Sequence, residues 1–448
     1  MTPTRANGDP RRLRELATHL QPCYHDGHGT FTCGSRVFSA DFRMVRYPLT
    51  TEFLIEGRQV RDVSRLISGP GYEPWSLMGH LSDGRQVECS ELLATRVRVS
   101  LGPEVQRRAT LTPLRCVTVG TPQSRPPASV QYPLVGYYEG PFSLEHDGWA
   151  VSASSPGTGA NVADRLRKGW GLLAQGLTLR LSGKAATLED YERTARHVTD
   201  LLSLASGTGV TFHRYTVKWD NGDALERLGR GARDQLGPGP CVPSFAAQQF
   251  AEHALPAFSE WPQEKQDLFR LAVGHMILSG SGYLETRFMS IWQAWEILGK
   301  EWGPKAALTR EEAALKAAVR QAYETWCQVN PDADPKGGEL WGRLAFAFRW
   351  LPALRRLGEL ADKGRLDRRS IGLDFRDLKR ARDSVAHTGR IPDDLYADRK
   401  AALRLLDSAR FGLQLLLLAE LAYTGLVETE ENGWRTFVRI DELLLKTT

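Results

Sequence analysis

No stretch of this chain is apolar for long enough to cross a bilayer. The most apolar segment, Phe411 to Val427, is interrupted by Gln414 and Glu420. A span needs about 20 residues nearly free of charge, so this segment reads as a buried helix. The first ten residues, Met-Thr-Pro-Thr-Arg-Ala-Asn-Gly-Asp-Pro, hold no apolar core, so no signal peptide is expected. Cysteine is sparse: six residues, at 23, 33, 89, 116, 241 and 327, with no CxxC pair. That argues against a disulfide framework and fits a reducing cytoplasm. A large charge imbalance is also missing. A net charge of +5 over 448 residues permits a polyanion partner without demanding one. There is no internal repeat. Gly157-Thr-Gly159 lacks the glycine spacing and preceding strand of a nucleotide fingerprint. Ser384 lacks the strained elbow of a serine hydrolase. No cofactor and no membrane partner are expected.

What is present is a chain of two or three domains. Residues 1–35 read as a short amphipathic helix (11–20) followed by a polar loop. In that loop Cys23, His25, His28 and Cys33 have spacings that match no common zinc framework, so a turn rich in Gly and His is preferred to a metal site. Residues 36–235 have the period of two that marks antiparallel strands. Thr51–Ile55, Gln86–Cys89, Thr95–Ser100 and Cys116–Val119 are examples. Asp83-Gly84 between two such runs predicts a hairpin. Gly57-Arg58 reads as a turn and residues 121–129 as an exposed loop. Thr187-Leu-Glu-Asp190 predicts a capping box opening a helix. Trp219, at a strand end, is read as a stacking platform for a base or as structural. The Gly/Pro-rich run 229–240 is the clearest domain boundary. Residues 241–448 then have helical texture, with spans near 244–258, 262–280, 283–300, 310–328, 338–361, 373–388 and 398–424, and a possible terminal hairpin around Asn432-Gly433. Trp292, Trp295, Trp341 and Trp350 fall in helical periodicity and are expected in the core. The fold class is therefore α+β and multidomain, with antiparallel sheets first and an all-α bundle second.

One compact group has the composition of a catalytic site: Arg382-Asp383-Ser384-Val385-Ala386-His387. Between Arg355 and Arg390 there are 11 Lys and Arg against 6 Asp and Glu, an excess as large as that of the whole chain. Asp374 can cap a helix that ends at Thr388-Gly389, and Pro392 prevents its continuation. Leu378, Ala381 and Val385 would form its packed stripe. Arginine suits bidentate contact with phosphate, and histidine suits proton transfer to an oxygen leaving group. Arg382 and His387 lie five positions apart, roughly 140° around a regular helix. They converge only if the helix end unwinds, or if both line a groove completed by a second subunit.

This hexapeptide resembles the R-(polar)-x3-H motif of HEPN domains. Tyr283-Leu-Glu-Thr-Arg-Phe-Met-Ser-Ile-Trp-Gln-Ala-Trp-Glu-Ile-Leu298 is similar to the early helix of the ApeA-type antiphage HEPN ribonucleases, and the β-rich region is weakly similar to that family's N-terminal region. The resemblance implies an all-α HEPN bundle over 241–448 and an ApeA-type region over 36–235. It implies endoribonuclease activity without a metal, in which the substrate's 2′-OH attacks the adjacent phosphate and leaves a 2′,3′-cyclic phosphate. By resemblance His387 is general acid or base, Arg382 neutralises phosphate charge, Asp383 orients one of them, and Glu285, or in second place Glu296, packs near the pair. Arg376, Lys379, Arg380 and Arg390 would contact RNA. Implied partners are tRNA or bulk RNA, a second copy of the chain in a homodimer, and a phage-derived trigger. The alternative is a catalytically inactive HEPN module that dimerises and binds.

Overall fold

The computed structural model of the chain describes residues 23–46, 51–56, 73–101, 105–114, 116–136, 140–154, 175–183, 186–212, 214–228, 241–303, 310–330, 340–342, 353–431 and 434–445. The expected helix at 11–20, the Gly57-Arg58 turn, the 157–159 loop, the 229–240 boundary, Trp350 and Asn432-Gly433 lie outside them. The residues fall into two compact units. Ser244–Leu255 goes with the first unit and Cys241–Pro243 with the second, so the division near the expected boundary is interleaved, crossing again at Pro256.

The first unit opens with strands β1 (Cys23–Cys33), β2 (Arg36–Arg46), β3 (Thr51–Glu56), β4 (Trp75–Leu81), β5 (Gln86–Leu101) and β6 (Val105–Pro113). They pair antiparallel in the order β4-β1-β2-β3-β6-β5, and β5 returns to β4, closing a six-stranded barrel. Strict alternation is the reason. Phe31, Phe42, Phe53, Ile55, Leu77 and Val87 point inward and are buried, while intervening residues face out. The hairpin at Asp83-Gly84 joins β4 to β5 as expected, with Gly84 at φ 86°.

Residues 23–33 correct the sequence reading. They form an eleven-residue strand, not a polar turn. Their glycines serve close strand approach instead of a reversal. A Cβ at Gly79 of β4 would lie 2.4 Å from the carbonyl oxygen of His28 on β1. The same alternation puts His28 on the opposite face from Cys23, His25 and Cys33, so the four side chains do not converge.

The N-terminal part of β5 also pairs with β7 (Val117–Val119). The same antiparallel sheet continues from it through β8 (Ser129–Val135), β9 (Phe142–His146), β10 (Trp149–Ser154), β11 (Gln175–Gly183), β12 (Thr211–Phe212), β13 (Arg214–Lys218) and β14 (Ala224–Leu228), in the order β7-β14-β13-β8-β11-β10-β9 with β12 on β8. Helix α1 (Leu188–Ser206) packs on this sheet through Tyr191, whose ring centroid lies 4.6 Å from that of Trp149. The capping box forms. Thr187 Oγ1 accepts from the Asp190 N–H at 3.3 Å, and Asp190 Oδ2 accepts from the Thr187 N–H at 3.0 Å. Trp219 is buried, its indole N–H donating to the Arg125 carbonyl at 3.0 Å. Only 6% of it is left exposed.

Helix α2 (Ala247–Ser259) contains the unit boundary at Pro256. The second unit continues with α3 (Gln263–Leu278), α4 (Leu284–Glu301), α5 (Arg310–Val329), α6 (Ala353–Lys363), α7 (Phe375–Thr388), α8 (Asp393–Ala397), α9 (Arg399–Glu420), a hairpin of β15 (Leu426–Glu431) and β16 (Trp434–Arg439), and α10 (Ile440–Leu443). Helix α4 is central and packs against α3, α6, α7 and α9. Trp292 and Trp295 are buried as expected, whereas Trp341 is only half-buried. The Trp295 indole donates to the Ala409 carbonyl of α9 at 2.9 Å, and its ring lies 4.9 Å from that of Phe375 on α7. Trp295 thus fixes both helices to α4.

Candidate functional site

Helix α7 carries the motif, and its limits are those its caps dictate. Asp374 Oδ1 accepts from the backbone N–H groups of Arg376 at 2.7 Å and Asp377 at 3.2 Å. Gly389 closes the helix in the left-handed region at φ 73°, its N–H donating to the Val385 carbonyl at 2.8 Å. Phe375, Leu378 and Ala381 form the buried stripe, while Val385 is only partly covered. Beyond the cap, Ser384 Oγ donates to the Arg390 carbonyl at 2.8 Å and holds the turn against the helix end.

Arg382 borders the buried stripe and turns back toward α4. One guanidinium nitrogen is 2.8 Å from Asp383 Oδ1, and the other is 4.0 Å from Glu296 Oε2. Its guanidinium carbon lies 5.7 Å from the centroid of the Trp292 ring. Glu296 accepts the Trp292 indole N–H at 2.9 Å and pairs with Lys300 at 3.3 Å. Lys379 bonds Asp383 one turn earlier on α7. Lys379, Asp383, Arg382, Glu296 and Lys300 therefore form one chain of alternating charge across the α4–α7 seam. It holds three cations and two anions. Burial pushes the Asp383 carboxyl up, but the bonds from Lys379 and Arg382 outweigh it and hold the carboxyl below the ordinary range.

His387 stands in the last turn of α7, exposed and without a hydrogen bond or ion pair among the described residues. The helix stays regular through Thr388, so Arg382 and His387 remain about 140° apart. The helix end does not unwind to bring them together.

The remaining expected residues divide. Arg376, Arg380, Asp383 and His387 follow one another at spacings of four, three and four, and so share one stripe of α7. Arg380 is occupied: its guanidinium meets Asp394 of α8 at 2.9 and 2.8 Å and Asp377 at 3.3 Å. Arg376 and Arg390 are exposed and make no ion pair among the described residues. Glu285 is half-buried in the first turn of α4. It lies eleven residues before Glu296, about 16 Å along the axis, beyond side-chain contact with Arg382. Of the two acids considered, the structure brings Glu296 to the motif.

Sequence reasoning missed the Trp292–Glu296 bond, although its i, i+4 spacing was available as a signal. It also missed Arg410. This α9 residue is only 2% exposed; its Nε donates to Ser279 Oγ and its Nη1 to Asp407, both at 2.7 Å. Burial pushes its guanidinium down to about 10. Nothing in the spacing of Arg410 separates it from a surface arginine.

Comparison of the chain with protein families, with curated proteins and with solved structures finds no match. The functional reading therefore rests on the residues and their geometry.

Proposed function

We propose that the helical unit is a HEPN-type endoribonuclease that acts as a homodimer. The observation that carries this reading is the pairing of opposites on α7: Arg382 is held in place by Asp383, Glu296 and Trp292, while His387 five residues on is exposed and uncommitted. An oriented cation and an accessible histidine are what 2′-OH attack on an RNA phosphate requires. In the proposed step the 2′-oxygen forms a bond to phosphorus and loses its proton to a base. The P–O5′ bond breaks, and the 5′-oxygen takes a proton from an acid. The products are a 2′,3′-cyclic phosphate and a 5′-OH. His387 of each copy supplies one proton-transfer group, so two copies facing one groove supply both the base and the acid. The regular helix favours this shared arrangement, because one copy keeps its own Arg382 and His387 apart. The β unit would then take the sensing role that antiphage effectors of the resembled family assign to it.

One observation favours a second reading, a non-catalytic HEPN module that dimerises and binds. Arg382 already faces two carboxylates, which leaves less of its charge for a phosphate. The readings separate in one assay. Purified protein in EDTA should cleave tRNA or bulk RNA, leaving cyclic-phosphate ends. Arg382→Ala and His387→Ala should each lower the rate by at least about 100-fold. Undiminished cleavage in the His387→Ala protein refutes the site, and an absence of cyclic-phosphate products from the wild type favours the module.

A further inference from the structure

A cleft lies at the opposite end of α7 from His387 and shares Asp374, Phe375 and Arg376 with the helix described so far. Its volume is about 1300 Å³, and its cationic lining is Arg355, Arg368, Arg369 and Arg376. Four arginines face three aspartates here, and the aspartates are already engaged. Asp374 caps α7. Asp362 pairs with Arg368 at 3.2 Å. Asp367 accepts from the backbone N–H groups of Arg369 and Ser370. Arg369 and Arg376 are both exposed and make no ion pair among the described residues. The apolar surface beside them comes from half-buried Leu354 and exposed Leu445, with Leu366, Leu373 and Phe375 buried behind.

We infer that this cleft is a second docking site for the single-stranded RNA substrate, taking phosphates on Arg369 and Arg376 and a base against the leucine wall. The inference rests on the ribonuclease reading and extends it. An anionic group alone would be satisfied by the arginines without an apolar wall. The combination of uncommitted guanidinium groups and apolar surface fits a nucleotide, which has a charged backbone and an uncharged flat base. Position supports the same substrate. Arg376 lies on the stripe that ends at His387, eleven residues or about 16 Å away along the axis. At roughly 3.4 Å per stacked nucleotide, about five nucleotides bridge the cleft and His387. The N-terminal amides of α7 are not the attraction, since Asp374 already accepts from them.

The test uses the full chain with His387→Ala, which binds without cleaving, and a labelled 12-nucleotide RNA read by fluorescence anisotropy over a salt series. Arg369→Ala with Arg376→Ala in that background should weaken binding about tenfold at low salt. It should also flatten the dependence of log Kd on log salt by about 1.4, the loss of two contacts at roughly 0.7 each for a single strand. Both side chains are exposed, and an unchanged thermal melt confirms folding. Equal affinity and equal slope in the two proteins overturn the cleft, and cleavage by the wild type with cyclic-phosphate ends then leaves the ribonuclease reading standing. The expected loss of binding with no cleavage by the wild type keeps the cleft and removes the nuclease. A glutamate peptide of matched charge that displaces the RNA at equal concentration overturns the assignment to RNA.

Discussion

Replacing Glu296 tests whether the polar seam between α4 and α7 holds the candidate site in place. Trp292 is 2% exposed, and its indole N–H has Glu296 as acceptor at 2.9 Å. In Glu296→Ala that buried donor loses its acceptor, which costs about 1–3 kcal/mol. The ion pairs that Glu296 makes with Lys300 at 3.3 Å and Arg382 at 4.0 Å are partly exposed and add at most about 1 kcal/mol. For a unit of about 200 residues, each kcal/mol moves Tm by about 2–4 °C. Glu296→Ala should therefore lower the melting temperature of the helical unit by roughly 2–16 °C. Glu296→Gln keeps an oxygen acceptor and loses only the charge, so its fall should be about a third as large. The assay is a thermal melt of the full chain followed by tryptophan fluorescence and circular dichroism. Trp292→Phe combined with Glu296→Ala closes a double-mutant cycle, and a coupling of about 1–2 kcal/mol is expected. A fall below about 1 °C for Glu296→Ala, or equal falls for the Ala and Gln variants, refutes the reasoning.

Acid should weaken the same seam. The folded Asp383 carboxyl sits below its ordinary value, so its contribution is present above the unfolded pKa, about 3.9, and is lost as pH falls through the lower folded value. The gap in Tm between the wild type and Asp383→Asn should be widest near pH 6 and close below about pH 4; a gap that widens on acidification contradicts the assignment. In the barrel, Gly79→Ala places a Cβ against the His28 carbonyl and should cost about 1–3 kcal/mol, seen as a lower urea midpoint for the β unit, and an unchanged midpoint would show that the strands separate without penalty.

Much of the architecture is legible in local pattern. Alternation in Thr51–Ile55 and Gln86–Cys89 marks strands because one face of each is buried. Asp374 and Gly389 mark the ends of α7 because orphan N–H groups need an acceptor and the left-handed cap favours a residue without a Cβ. The same local logic misreads Cys23–Cys33. Glycine there records how closely β1 and β4 approach, a relation between residues about fifty positions apart. The β1–β4 and β3–β6 pairings of the barrel, and the continuation of β5 into further strands at β7, are likewise pairings between distant strands that no short window of sequence contains.

The candidate site divides along the same line. By itself the sequence determined that Arg382 and His387 share one capped helix, that a basic tract leads into it, and that five positions on a regular helix separate them by about 140°, because these follow from helix geometry and capping alone. Only the tertiary structure decided the rest. Packing of α7 on α4 chose Glu296 over Glu285 as the acid beside Arg382, since the seam lies about three turns into α4. The return of α8 committed Arg380 to Asp394, and the approach of α6 and Leu445 to α7 shaped the arginine-lined cleft around Arg369 and Arg376. Charge and hydrogen-bonding capacity belong to a residue, but whether they are spent on a neighbour or left for a ligand depends on which elements the fold brings alongside.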